Sequence, residues 1–166
     1  FGEVSRINLG GQRGLLVMGP ENLKQIYLDP ERNFSTEMGY AERLGRSAYS
    51  FDELYTHLQQ DYTYIDQLLI ELLSAKMLAL QPKMVAISVP FPGNLYTAFR
   101  CGQWIKQHHP TCKVVMGGGF ANTELRSLGD ERVFEFFDFI TLDDGETPIE
   151  NLLEHIEGKR PVELLK

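Results

Sequence analysis

The sequence predicts an α/β fold in which a doubly wound parallel sheet lies between two layers of helices, as a three-layer sandwich. Residues 84–89 and 113–116 carry apolar side chains on both faces, as strands do when helices cover a sheet on its two sides. Amphipathic helical patterns precede and separate these two segments. Helices and strands alternating over short links are typical of parallel sheets.

The first third of the chain has the least regular pattern. Residues 15–18 form a candidate strand, residues 23–28 form a candidate short helix, and Ser50 with Glu53 is a candidate helix cap. Residues 33–50 are polar and of mixed charge, and a loop of this length is typical of functional or mobile segments. We therefore treat residues 1–60 as an N-terminal extension or an incomplete first part of the domain. With about four predicted strands, an edge strand is missing or supplied elsewhere.

From residue 61 the elements follow in a regular order. Thr63 and Asp66 predict a capping box at the start of a helix that ends before Pro82. After the strand at 84–89 and a proline-rich turn, Asn94 is the expected cap of the next helix. The expected inner face of this helix consists of Leu95, Ala98, Phe99, Gly102 and Ile105.

The second half repeats the same alternation. A strand at 113–116 leads into a glycine turn and a short helix that Asn122 is expected to cap. A strand at 139–142 precedes a final helix, for which we predict Thr147 as the cap and Pro148 in the first turn. Residues 61–158 are thus the predicted α/β core. We expect residues 159–166 to begin a linker to a further domain.

Composition excludes several classes of protein. The 166 residues suit one domain, and 43% apolar residues supply its core. A net charge of −7 without a cluster of Lys and Arg argues against nucleic-acid binding. The chain shows no membrane span and no signal peptide. Cys101 and Cys112 fit no metal-ligand spacing and predict reduced thiols of a cytoplasmic protein.

Three turns that follow the predicted strands are the candidate functional site, because ligands bind beyond the carboxyl ends of parallel strands. Each turn also has a purely structural interpretation. The first is an ordinary turn stiffened by proline, the second is a tightly packed glycine turn, and the third places an acidic residue at a helix start. The candidate ligand-contact residues are Ser88, Pro90, Gly93, Asn94, Gly117, Gly118, Gly119, Asp144, Gly145 and Glu146.

Other kinds of site receive less support. The glycines at 117–119 do not form the GxGxxG dinucleotide pattern, and no phosphate-binding loop occurs. The third turn favours polar contact with a cofactor over metal binding. No histidine follows a strand end, no catalytic triad is indicated by spacing, and Trp104 is expected to pack between helix and sheet. We predict no catalytic residue in this segment.

Four segments taken in order resemble the cobalamin-binding domain of radical S-adenosylmethionine (radical SAM) enzymes, a flavodoxin-like, Rossmann-type fold. These segments are QPKMVAISVP at 81–90, a helix ending in WIKQHHP at 104–110, VVMGG at 114–118 and FITLDDGE at 139–146. The resemblance covers about residues 65–158. It implies that cobalamin lies over the three turns. It also implies a downstream barrel that holds a 4Fe–4S cluster and S-adenosylmethionine.

The sequence departs from this family at two motifs. The Asp-x-His-x-x-Gly motif that supplies a histidine ligand to cobalt is absent, so cobalamin would bind without it. The cysteine triad of the iron–sulfur cluster is also absent. The resemblance therefore implies a cofactor module that is not catalytic by itself. Its expected partners are its own downstream radical SAM domain and a small-molecule or peptide substrate, with no nucleic acid and no membrane.

Three interpretations stay open. The domain is either a cofactor module or a degenerate cobalamin fold that binds no cofactor and forms a structural or substrate-recognition lid on the barrel. The third reading is a stand-alone flavodoxin-like signalling or nucleotide-binding domain. Asp143 and Asp144 are candidate phosphoacceptors for it, but no later strand offers the partner lysine.

Overall fold

The computed structural model describes the backbone of residues 4–9 and 12–17, and residues 51–127, 129–143 and 145–165 with their side chains. In these residues the strands form one sheet in the order β1-β2-β3-β4-β5. Strand β1 is antiparallel to β2, and the four strands from β2 to β5 are parallel. The strands are β1 (Val4–Leu9), β2 (Gln12–Val17), β3 (Met84–Ser88), β4 (Lys113–Gly117) and β5 (Phe139–Ile140).

Five helices connect or follow these strands in the described part of the chain. They are α1 (Phe51–Leu58), α2 (Tyr64–Leu80), α3 (Leu95–His108), α4 (Gly119–Thr123) and α5 (Glu146–Ile156). Short 3-10 turns lie at Pro92–Asn94, Leu125–Ser127, Glu131–Glu135 and Val162–Leu164.

Helices cover both faces of the central strands. On one face, Val85, Ile87, Val114 and Met116 belong to a large hydrophobic cluster with residues of α1, α2 and α3. On the other face, Met84, Ala86 and Val115 pack with Leu152 of α5. Apolar residues of these two strands are therefore covered on both faces, as predicted, because side chains alternate between the faces.

The α/β class and the parallel strands are confirmed. A doubly wound sheet reverses its strand order partway across, and the described strands show no such reversal. The sheet also contains a strand that the sequence interpretation missed, β1, which pairs with β2 as an antiparallel edge. Strand β2 (Gln12–Val17) contains residues 15–17 of the candidate strand at 15–18 and begins three residues earlier, and residue 18 lies outside the described residues. The candidate helix at 23–28, the loop at 33–50 and the cap Ser50 lie outside the described residues.

Among the described residues, the capping box is confirmed, Asn94 occupies its predicted cap position without a side-chain bond, and two predicted caps are wrong. The Thr63 and Asp66 side chains exchange hydrogen bonds with each other's backbone N–H, which completes the capping box. Asn94 makes no capping hydrogen bond, because a 3-10 turn runs directly into α3. Asn122 lies inside α4, since that helix already begins at Gly119. Thr147 lies inside α5, since that helix begins at Glu146.

Buried Arg100, in the middle of α3, connects this helix to the end of α1 and to the first turn of α2. Arg100 and Asp66 are each 1% exposed, and Arg100 Nε lies 3.4 Å from Asp66 Oδ2. Arg100 donates to the carbonyl oxygens of Leu58 and His57 at the end of α1, at 2.8 and 3.1 Å. It also donates to the Tyr96 hydroxyl, which donates to Asp66 at 2.8 Å. The guanidinium thus adds hydrogen bonds to carbonyls at the end of α1, which also accept from the Gln60 N–H and the Gln103 side chain.

The Asp138 side chain, directly before β5, connects α3 to the start of β4. Its carboxylate accepts hydrogen bonds from Lys106 at 2.9 Å, from the backbone N–H of Val114 at 2.9 Å and from Lys113 at 3.3 Å. Partial burial disfavours the charged carboxylate, but these three donors outweigh it and hold the pKa of Asp138 below its ordinary value. The ionised form is therefore the one that stabilises the fold.

We expect the Asp138→Asn variant to be less stable than the wild type at neutral pH, and the difference to shrink in acid. A carboxyl whose folded-state pKa is lowered stabilises the fold above its unfolded pKa of about 4, and this stabilisation is lost as the pH falls further. Urea unfolding at pH 7 and pH 3 measures both differences. Exposed Asp61, changed to Asn, is the control and should show little effect at either pH. A difference that grows in acid would contradict the assignment.

Candidate functional site at the carboxyl edge of the sheet

The first and second turns meet at the carboxyl edge. Ser88 and Gly117 are opposite each other in the register of β3 and β4. Beyond them, the backbone N–H of Val89 donates to the Gly117 carbonyl at 2.7 Å, and the N–H of Phe120 donates to the Val89 carbonyl at 3.0 Å. These bonds continue the pairing past the strands and hold residues 88–90 against residues 117–120.

The second and third turns are joined through side chains. The Asn122 amide oxygen accepts from the backbone N–H of Asp143 at 3.0 Å and from Arg126 at 3.1 Å. Arg126 also donates to the Asp143 carboxylate at 2.8 Å, and this hydrogen bond holds the pKa of that carboxyl below its ordinary value. Asp143 adopts a left-handed backbone with φ of 63°, which few residues other than Gly, Asn and Asp favour. We call Asn122, Arg126 and Asp143 the rim network.

The protein's own atoms fill the space beside two of the predicted glycines. A Cβ on Gly118 would lie 2.7 Å from the backbone nitrogen of Val89 and 2.8 Å from Ser88 Oγ. A Cβ on Gly117 would overlap the Thr141 hydroxyl. These glycines therefore permit close packing between turns, which is the structural interpretation of this motif. Gly118 also has φ of 102°, where side chains are strained.

The other three predicted glycines face open space. Among the described residues, a Cβ on Gly93 or Gly145 would have no neighbour within 4 Å, and one on Gly119 would approach only the Pro90 carbonyl oxygen, at 3.8 Å. One open position thus occurs in each of the three turns. The surface that a ligand is able to approach lies outside the pair Gly117 and Gly118.

The remaining predicted residues differ in accessibility. Ser88, Pro90 and Asn94 are half-buried, and Glu146 is exposed as the first residue of α5. Asp144 lies outside the described residues. The structure therefore brings the first and second turns together by backbone bonds and the third by the rim network.

Nucleophilic and metal chemistry find no support in the described residues. Burial raises the pKa of the Cys101 thiol to about 12 and that of Cys112 to about 11, so both are neutral and unreactive near pH 7. No group of three or more His, Cys, Asp or Glu side chains in the described ranges is arranged to hold a metal ion. His108 lies at the end of α3, where its ring stacks on Trp104, which packs in the core as expected.

Sequence interpretation missed several residues of this edge. Phe91 is exposed at the tip of the first turn, between two prolines. Thr141 occupies the space beside Gly117, and Arg126 completes the rim network. Of these residues, only the exposure of Phe91 could have been predicted from the sequence, because Phe91 lies in a Pro-x-Pro-Gly turn at the surface.

The chain has no match among protein-family models, curated proteins or solved structures. No helix within the described ranges has both the length and the apolar character required to cross a bilayer. The fold and the geometry of the three turns therefore carry the functional inference.

Proposed function

We propose that this domain is the cobalamin-binding-like module of a cytosolic radical SAM enzyme, whose 4Fe–4S cluster and S-adenosylmethionine belong to a downstream domain. One observation carries the proposal: three turns from distant parts of the chain meet at one sheet edge, and each presents a glycine that no side chain of the described ranges approaches. Backbone without a Cβ permits close approach of a flat ligand.

The residues present fit the edge of a corrin ring. Gly93, Gly119 and Gly145 offer open backbone, and Ser88 and Asn94 offer polar groups in the first turn. No histidine lies in the three turns, so a cobalt ligand from them is not part of the proposal. We also propose the finer architecture, a doubly wound, flavodoxin-like sandwich. Helices on both sheet faces support it, whereas the sequential order of the described strands does not.

A second function is favoured by a different observation. The space beside Gly117 is occupied by the Thr141 side chain, and the space beside Gly118 by the backbone of Val89. The glycine turn is therefore needed for folding whether or not a ligand binds. A domain that kept only this packing would serve as a structural or substrate-recognition lid on the downstream barrel, without cobalamin.

Equilibrium dialysis against hydroxocobalamin, with the bound fraction measured by its visible absorbance, separates the two functions. We expect saturable binding to the wild-type domain, and weaker binding to Gly93→Leu, whose side chain enters the open surface. Gly129→Leu is the matched control, because Gly129 also has no neighbour within 4 Å but lies outside the three turns. No retention of cobalamin by the domain at a large excess would reject the cofactor module and leave the lid. Substitution at Gly118 does not separate them, because it disturbs the fold itself.

A further inference from the structure

Phe91 is an exposed aromatic side chain on a constrained backbone. It is 61% exposed and lies between Pro90 and Pro92, whose rings fix their own backbone φ angles. The Phe91 carbonyl accepts a hydrogen bond from the Asn94 N–H at 3.0 Å, which closes the turn into the 3-10 helix. The ring is therefore attached to an ordered segment, and little backbone entropy would be lost if a ligand covered it.

Phe91 lies next to the open part of the candidate site. The carbonyl oxygen of the preceding Pro90 is 3.8 Å from the position of a Cβ on Gly119, and open Gly93 follows two residues later. Phe91 thus belongs to the segment, residues 90–93, that contains open Gly93 and lies beside open Gly119. Pockets for organic cofactors combine such apolar groups with a few polar ones.

We infer that Phe91 is a ligand-contact residue that packs its ring against a flat, conjugated ligand bound over Gly93 and Gly119. The inference rests on the proposed function and adds to it an apolar contact that the predicted site lacked. The side chain of a phenylalanine offers stacking and edge contacts to a conjugated ring system, and its contact with water is lost on binding. Ligands without such a ring system gain less from it.

Single exposed hydrophobic residues are common on protein surfaces, so the inference needs a matched comparison. Phe134 supplies it. This side chain is 56% exposed, lies in the short 3-10 segment Glu131–Glu135, whereas Phe91 directly precedes one, and is outside the three turns. Changing either residue to Ala removes the same exposed ring.

The test compares the wild type, Phe91→Ala and Phe134→Ala in titrations with hydroxocobalamin, together with their melting temperatures. We expect Phe91→Ala to bind about tenfold or more weakly, in line with the loss of a stacking contact, and Phe134→Ala to bind as the wild type does. Both melting temperatures should stay within about 2 °C of the wild type, because neither ring is buried.

Each other outcome counts against the inference. Equal binding by Phe91→Ala and the wild type would overturn the role of Phe91 and leave the proposed function intact. Equal weakening by both variants would also overturn it, because the effect would not be local to the turn. Absence of binding by the wild type would overturn the proposed function and, with it, this contact.

Discussion

Replacing Arg100 with methionine should lower the free energy of unfolding by about 3–5 kcal/mol, because a buried carboxylate is left without its cation. Asp66 is 1% exposed, so water cannot replace the lost guanidinium. The carbonyls of His57 and Leu58 each lose one hydrogen bond at the same time and keep those from the Gln60 N–H and the Gln103 side chain. Urea unfolding, followed by circular dichroism, measures the change.

The control for this experiment is Lys76→Met, which changes an exposed cation on α2 and should alter stability by less than about 0.5 kcal/mol. The double variant Arg100→Met with Asp66→Leu should recover part of the loss, since it removes both charges. If Arg100→Met were as stable as the control, the buried ion pair would not hold the three helices together.

Gly118→Ala should destabilise the domain by more than the roughly 1–3 kcal/mol expected from its backbone conformation alone. Its φ of 102° is unfavourable for alanine, and the new Cβ would press against the backbone nitrogen of Val89 at 2.7 Å. Backbone atoms in a hydrogen-bonded turn have little freedom to move away. Thermal or urea unfolding measures the effect.

Gly93→Ala is the matched control for this substitution. It lies at the same edge, its Cβ would have no neighbour within 4 Å, and it lacks a positive φ. We expect its stability to stay near that of the wild type. Equal loss of stability in both variants would show that the glycines share one role, which contradicts the division into packed and open positions.

Much of the fold was predictable because its signals are local. The strand at Met84–Ser88 is apolar on both faces, and the capping box at Thr63 depends only on residues three apart. All five residues predicted for the inner face of α3 proved to be buried. Strand β1 and its pairing with β2 were missed, although Gly10 and Gly11 separate two six-residue strands, a spacing typical of a two-residue hairpin.

The details of the site depend on contacts between distant residues, which one sequence does not reveal. That three turns meet at one edge follows from parallel strand order, and this was predicted. Which glycines stay open depends on how β5 lies beside β4, because Thr141 then reaches Gly117. The role of Arg100 likewise depends on Asp66 and on carbonyls some forty residues earlier in the chain.

Hydrogen–deuterium exchange with and without hydroxocobalamin tests most directly whether the three turns form one ligand surface. We predict slower exchange in the presence of cobalamin within residues 89–95, 118–123 and 142–147 together, with no change at the C-terminal end of α2. The Gly93→Leu variant should lose this protection in all three segments. Bound cobalamin that protected only one turn, or a region remote from the carboxyl edge, would contradict the account.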